Sequence, residues 1–276
     1  MTRTVLVTGA SGGLGQQCVE VFASQGWNVI AATRTPDSMD SSSTSPRVLP
    51  VYMDVRNEDS IARAMTLGLE HFPTIDVLVN NAAFGLRGVF EGIPSTEVQR
   101  QIDVNLLGPL NACRAVLPQM RRQGSGTIIN ISSPAGRIGL PLSTIYAASK
   151  FALEGFSEAL SHEVARLNIA VKVVVPGGML GTHFEESSRR ASECVRTPVD
   201  YDEIRRRADR VYAVMANHVT ASARDVALVV FQAATDGTRQ YRYVASEEMR
   251  AMFSSWRQTG EQEFLDRTRG RILGAD

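Results

Sequence analysis

Lysine is almost missing from this chain. Of 29 cationic side chains among 276 residues, only Lys150 and Lys172 are lysines, so each stands out where it has a chemical neighbour. Cysteine is equally sparse. Cys18, Cys113 and Cys194 are odd in number, far apart and form no C-x-x-C pair, which excludes a disulfide framework and reads as reduced thiols filling a core. His71, His162, His183 and His218 are scattered, and His162-Glu163 has no second histidine at ligand spacing, so no metal site is expected. An excess of one charge is also lacking: 29 basic and 29 acidic side chains leave a formal net charge of zero, which argues against a nucleic-acid surface. No apolar run approaches the ~20 residues that span a bilayer, and no signal peptide precedes the first strand, so a cytoplasmic protein is expected.

What is present is a strand–helix alternation with enough apolar residues (43%) for one large core, expected to be a single domain over residues 1–276. Thr4 to Thr8 is a β-branched run that meets Gly9-Ala10-Ser11-Gly12-Gly13-Leu14-Gly15, and a helix pattern follows with Cys18, Val19, Val21 and Phe22. Strand, glycine turn and helix form the arrangement in which backbone N–H groups and a helix N-terminus hold a diphosphate. That reading assigns cofactor contacts to Gly9, Ser11, Gly13, Leu14 and Gly15. The G-x-G-x-x-G pattern itself is not met, because Cys18 stands where its last glycine would fall. A second strand ends at Thr33-Arg34. A carboxylate at this tip would bind the 2′-hydroxyl of NAD, whereas Arg34 suits the 2′-phosphate of NADP; Asp37 is the competing residue. NADP is therefore expected ahead of NAD.

Ser38 to Pro46 reads as a loop. A third strand, Arg47 to Met53, ends at Asp54, an acceptor for an adenine amine. A helix over Asn57–Phe72 leads to a fourth strand, Asp76–Val79, and to Asn80-Asn81-Ala82-Ala83. Thr96 to Met120 is helical, with polar Asn105 inside its apolar pattern and a bend expected at Gly108-Pro109. Gly126 to Ile131 is a fifth strand that delivers Ser132 and Ser133 to its carboxyl end, where open α/β sheets bind ligands. Tyr146 and Lys150 follow, four residues apart on a helix expected to run to Leu167, and so on one face of it. An ammonium there favours the phenolate. Bringing the phenol to neutrality needs roughly 3 pKa units, about 4 kcal/mol. Ile169 to Val175 is a sixth strand ending in Pro176-Gly177-Gly178. Residues 185–220 read as a polar substrate lid, with Arg205, Arg206, Arg207 and Arg210 on a solvated helix face. A helix from Ser222 to Ala234, a last strand at Arg242–Ala245 and a helical tail complete the pattern.

Thr8-Gly9-x-x-x-Gly13-x-Gly15, Asn80-Asn81-Ala82, Asn105, Ser133, Tyr146-x-x-x-Lys150 and Pro176-Gly177 stand in the order and spacing of the short-chain dehydrogenase/reductase family. The chain resembles its compact single-domain branch from about Thr4 to Thr182. The alternative Gly9-x-x-Gly12-x-x-Gly15 match to the extended epimerase branch is disfavoured by chain length and by Asn-Asn-Ala-Ala. The resemblance implies a doubly wound Rossmann-type α/β fold, about seven parallel strands with helices on both faces. It implies NADP-dependent interconversion of a carbonyl and an alcohol by hydride transfer. Tyr146 would be the acid/base and Lys150 would lower its pKa and bond the nicotinamide ribose. Ser133 would hold the substrate oxygen, and Asn105 would maintain a water-linked proton path. Asn81, Pro176, Gly177 and Thr182 join the cofactor contacts, although Thr182 lies one residue later than in the family and Ala83 replaces its usual glycine. The resemblance also implies a homo-oligomer, paired through the helices after Asn105 and at Tyr146. A non-catalytic dinucleotide-binding regulator and an epimerase or dehydratase relative are the alternative readings. Leu140, Leu142, Met179, Leu180, Phe184, Val211 and Met215 suggest an apolar pocket for a lipophilic ketone or alcohol.

Overall fold

The computed structural model describes residues 2–39, 45–180, 182, 184–217, 219 and 221–273. Most of the Ser38–Pro46 loop, together with His183 and His218, lies outside the described residues. Seven strands form one parallel sheet in the order β3-β2-β1-β4-β5-β6-β7. They are β1 (Thr4–Thr8), β2 (Asn28–Thr33), β3 (Val48–Tyr52), β4 (Val77–Asn80), β5 (Gly126–Ile131), β6 (Ile169–Val175) and β7 (Arg242–Val244). Strand order reverses between β1 and β4, which places a crevice at their carboxyl ends.

Successive side chains of a strand point to opposite faces, so one strand serves two cores. Val5 and Val7 of β1 belong to the layer closed by α1 (Gly13–Ser24) and α8 (Ala223–Thr235), with Cys18, Phe22, Val226 and Val230. Leu6 faces the other layer, closed by α2 (Glu58–His71), α4 (Gly108–Gln123) and α5 (Thr144–Val164). Cys18 and Cys113 are buried in these layers, and burial pushes both thiols up to about 12. Cys194 is exposed.

The helix expected over Thr96–Met120 is three pieces: α3 (Ser95–Ile102), a π-helical turn at Asp103–Leu107, and α4. The irregularity therefore precedes Gly108-Pro109. Proline stands in the first turn of α4, where its missing N–H leaves no bond unmade. α5 begins two residues before Tyr146 and its α-helical part stops at Val164. The polar segment after β6 holds α6 (Phe184–Ser192) and α7 (Asp202–Asn217), and the tail holds α9 (Glu247–Thr259) and α10 (Glu261–Leu273). Among the described residues no helix is long and apolar enough to cross a membrane.

Candidate active site

The glycine turn is shaped by two close approaches. Gly9 has φ +66°, and a Cβ there would lie 2.9 Å from Ala82 Cα; a Cβ on Gly15 would lie 2.0 Å from the Gly9 carbonyl oxygen. Only glycine lets α1 start this close to β1. Asn81 locks the same turn from β4: its side-chain amide donates to the carbonyls of Thr8 (2.9 Å) and Gly9 (3.1 Å), and its backbone N–H donates to Thr8 Oγ1 at 3.0 Å. The Asn81 side chain thus builds the turn. No side chain caps the N-terminus of α1, and a Cβ on Gly12 would meet nothing within 4 Å. The first-turn N–H groups therefore face open space at the positive end of the helix, which fits an anionic diphosphate. Thr182 lies over this turn, its Cβ 3.4 Å from where a Gly13 Cβ would be, while its hydroxyl donates to Met179 at 3.4 Å. Pro176 is buried at the end of β6 and Gly177 packs toward Ser246 and Met249.

Arg34 is exposed at the tip of β2, and no ion pair holds it among the described residues. Asp37, also exposed, stands in the short turn that follows. Asp54 is differently placed from the expectation of a free acceptor. Its carboxylate takes a bidentate bond from Arg56, at 3.0 Å from Nε and 2.6 Å from the terminal nitrogen. That bond holds the carboxyl below its usual value.

β5 delivers the two serines to different partners. Ser132 is buried and donates to Glu154 Oε1 at 2.8 Å. Ser133 is half-buried, accepts from the Ala135 N–H at 3.2 Å, and its hydroxyl acts to lower the pKa of the Tyr146 phenol. The choice between adjacent serines is thereby made by the strand's pleat. Lys150, 3% exposed, reaches back one turn of α5 and donates to the Ile131 carbonyl at 2.8 Å. Its ammonium lies 5.9 Å from the Tyr146 ring centroid.

Burial acts on both groups of the pair. Burial raises the Tyr146 pKa, and the Ser133 hydroxyl offsets only part of that rise. Burial also pushes Lys150 down to about 8, against the attraction of Glu154. A low-dielectric cleft penalises both charged forms. Burial thus raises the tyrosine pKa and lowers that of the lysine.

Asn105 is fully buried in the π-turn. Its side-chain oxygen accepts from the Phe84 N–H at 3.1 Å, and its nitrogen donates to the Phe84 carbonyl at 2.9 Å and to Ser149 Oγ at 3.4 Å. The Asn105 amide is engaged with the Phe84 peptide group of the loop after β4. That loop also touches α6: Arg87 N–H donates to Ser192, and Phe184 places its ring centroid 6.0 Å from that of Tyr146. Leu142 (φ +60°) is buried under α7, and Leu140 and Met179 pack on core clusters. Three of the residues expected to line an apolar pocket are therefore packing residues. Leu180 and Met215 remain exposed, at 54% and 37%. Glu154 escaped the sequence reading, although its spacing from Lys150 shows it: a carboxylate one turn on, along the same helix face.

A parallel sheet in this order, with its crevice at the β1/β4 reversal, belongs to the doubly wound Rossmann-type class. Residues 3–193 match the short chain dehydrogenase family, and the chain belongs to the short-chain dehydrogenases/reductases, oxidoreductases of alcohol and carbonyl groups. It is 39% identical over 199 residues to a 3-ketodihydrosphingosine reductase of Bacteroides thetaiotaomicron, covering 72% of this chain and 71% of that protein. It is 35% identical over 192 residues to human retinol dehydrogenase 8, covering 66% of this chain but 60% of that one. Among solved structures, a short-chain dehydrogenase from Streptomyces avermitilis superposes with a TM-score of 0.79 at 26% identity, over 94% of this chain and 98% of that one. A relative from Burkholderia cenocepacia, in complex with NADP, shares the fold with a TM-score of 0.75 at 24% identity, over 99% and 98% of the two chains.

Proposed function

We propose that the protein is an NADP-dependent reductase of a lipophilic ketone, or the corresponding alcohol dehydrogenase, with Tyr146 as acid/base. One observation carries this reading: Ser133, the Tyr146 ring and buried Lys150 stand together at the carboxyl end of β5, in a sheet whose order reverses beside an uncapped glycine turn. The glycine turn would hold the diphosphate on the backbone N–H groups of Gly13, Leu14 and Gly15, and Arg34 would pair with the 2′-phosphate. Asp54 has lone pairs left for the adenine amine, and Thr182 is placed for the diphosphate side. The bound nicotinamide supplies hydride to a carbonyl carbon, or removes it from an alcohol carbon.

Every other contribution comes from the chain. In reduction, Tyr146 gives its phenolic proton to the oxygen that acquires negative charge, and Ser133 donates a hydrogen bond to the same oxygen. Lys150, as an ammonium, stabilises the phenolate that remains. Oxidation runs these transfers backwards. The names of the 3-ketodihydrosphingosine reductase and retinol dehydrogenase relatives support a lipophilic substrate, as do exposed Leu180 and Met215 beside the lid. Residues 185–220 would form that lid. Leu107 (41% exposed) and Phe151 (45% exposed) support a homo-oligomer paired along α4 and α5. The test is NADPH oxidation with a panel of ketones. In Tyr146→Phe turnover should fall by about two to four orders of magnitude while NADPH titration stays within about twofold. Undiminished turnover in that variant would exclude Tyr146 as the acid.

A further inference from the structure

On the far side of α5 from the glycine turn, β7 and α9 enclose a cavity of about 570 Å³, within the size range of small-molecule sites. Its lining is chemically one-sided. It includes Arg137, Arg242, Arg250 and Arg257 and no carboxylate, above an apolar floor with Phe253 and Trp256. In a chain of zero net charge, four guanidinium groups at one cavity are a concentrated positive field.

The nearby acids cancel it only in part, and none of them is in the cavity lining. Glu154 serves two of the arginines at once: Arg137 Nε at 2.9 Å and Arg242 through its terminal nitrogen. Arg137 also meets Glu158 at 3.8 Å, so the guanidinium left over is that of Arg257. Arg242 Nε is buried with no hydrogen-bond partner, so it is the terminal nitrogens of Arg242 that a ligand would reach. Arg250 pairs with Glu247 at 3.0 Å, but those side chains are 51% and 84% exposed, so that pair is weak. Arg257 has no ion pair among the described residues. A small inorganic anion would leave the aromatic floor wet, and a neutral hydrocarbon would strip water from guanidiniums without replacing their bonds. An amphiphile with an anionic head satisfies both.

We propose that this cavity is a second ligand site, separate from the catalytic crevice, for an organic anion that joins a carboxylate or phosphate head to an apolar chain. Arg137, Arg242, Arg250 and Arg257 would bind the head, and Phe253 and Trp256 the chain. The inference stands independently of the proposed reaction.

The test is calorimetric titration of the full chain with decanoate, decyl phosphate, decanol and inorganic phosphate, with tryptophan fluorescence recorded in parallel. Trp27 is sealed between Phe22 and Phe231, so a ligand-dependent signal belongs to Trp256 and should vanish in Trp256→Phe. Decanoate or decyl phosphate should bind one per chain, at least tenfold more tightly than decanol or phosphate; whichever binds better identifies the head group. The double variant Arg250→Ala/Arg257→Ala changes exposed side chains of α9, so it should fold as the parent does by circular dichroism, and it should weaken binding at least tenfold. Failure of both amphiphiles to bind, equal binding of decanol, or affinity unchanged in the double variant would each overturn the proposal.

Discussion

Lys150 costs the fold stability where it is buried. Burial holds it at about 8 in the folded protein, against an ordinary value of 10.5. Below pH 8 it is charged in both folded and unfolded chains, and the folded state bears the whole desolvation penalty. Between pH 8 and about 10.5 the unfolded chain binds more protons, so this penalty is relieved as pH rises. Lys150→Met should therefore stabilise the fold by roughly 1–3 kcal/mol at pH 7, with the gain gone above about pH 10.5, as read by urea unfolding at several pH values. The same variant should lose turnover, and parent turnover in the reductive direction should decline as pH rises through 8. At the tip of β2, Arg34→Asp should shift the ratio of NADPH to NADH efficiency by at least about tenfold toward NADH, the worth of a charge-assisted bond. An unchanged ratio in steady-state kinetics would remove Arg34 from the 2′-phosphate.

Such residues were legible because their chemistry needs particular side chains at fixed spacing. Tyr146 and Lys150 four apart, the glycines before α1 and a serine at the end of β5 all follow from local geometry. Spacing favoured Ser133 over Ser132, and in the structure Ser132 is turned to Glu154. The destination of the Asn105 amide was not legible. Phe84 lies 21 residues away in sequence, and no local pattern announces that contact.

Among the elements, α7 is docked by a small set of polar contacts. The Arg87 guanidinium stacks 3.7 Å over the Tyr212 ring and pairs with Asp209 at 2.9 Å. Tyr212 in turn bonds Ser143 at 3.0 Å and the Pro141 carbonyl at 2.9 Å, immediately before α5. The stacking contributes about 1 kcal/mol and the half-exposed ion pair less. Arg87→Ala should therefore raise the population of undocked α7 by about five- to tenfold, seen as faster limited proteolysis within residues 202–217. Substrate KM should rise while the NADPH dissociation constant stays constant. The arginine-rich face of α7 behaves as its composition suggests, with Arg205, Arg206 and Arg207 paired to Asp202 and Glu203 along the surface.

For the whole molecule, β6, α8 and β7 are tied together by the second lysine. Lys172 is buried and donates to Asp236 at 2.8 Å, to the Ala233 carbonyl at 2.8 Å and to the Tyr243 hydroxyl at 3.1 Å. Burial pushes the Asp236 carboxyl up, but the bonds from Lys172 and Tyr243 prevail and hold it well below the usual carboxylate range. Its contribution is present above pH about 4 and is lost only in strong acid, as pH falls through the folded value. Asp236→Ala strands the buried ammonium and should destabilise the fold by about 3–5 kcal/mol at pH 7, measured as a shift of the urea midpoint with unchanged slope.

Both lysines were conspicuous in the sequence by rarity alone, yet only one could be assigned a task from it. Strand–helix alternation, the glycine turn and the Ser133, Tyr146 and Lys150 positions were determined by the sequence itself, because each depends on neighbours within a few residues. Tertiary structure alone decided that burial raises the pKa of the Tyr146 phenol, that Glu154 joins Ser132 to two arginines, and that four arginines converge beside Trp256. Those outcomes depend on desolvation and on contacts across the sheet, and both arise only when distant segments pack together.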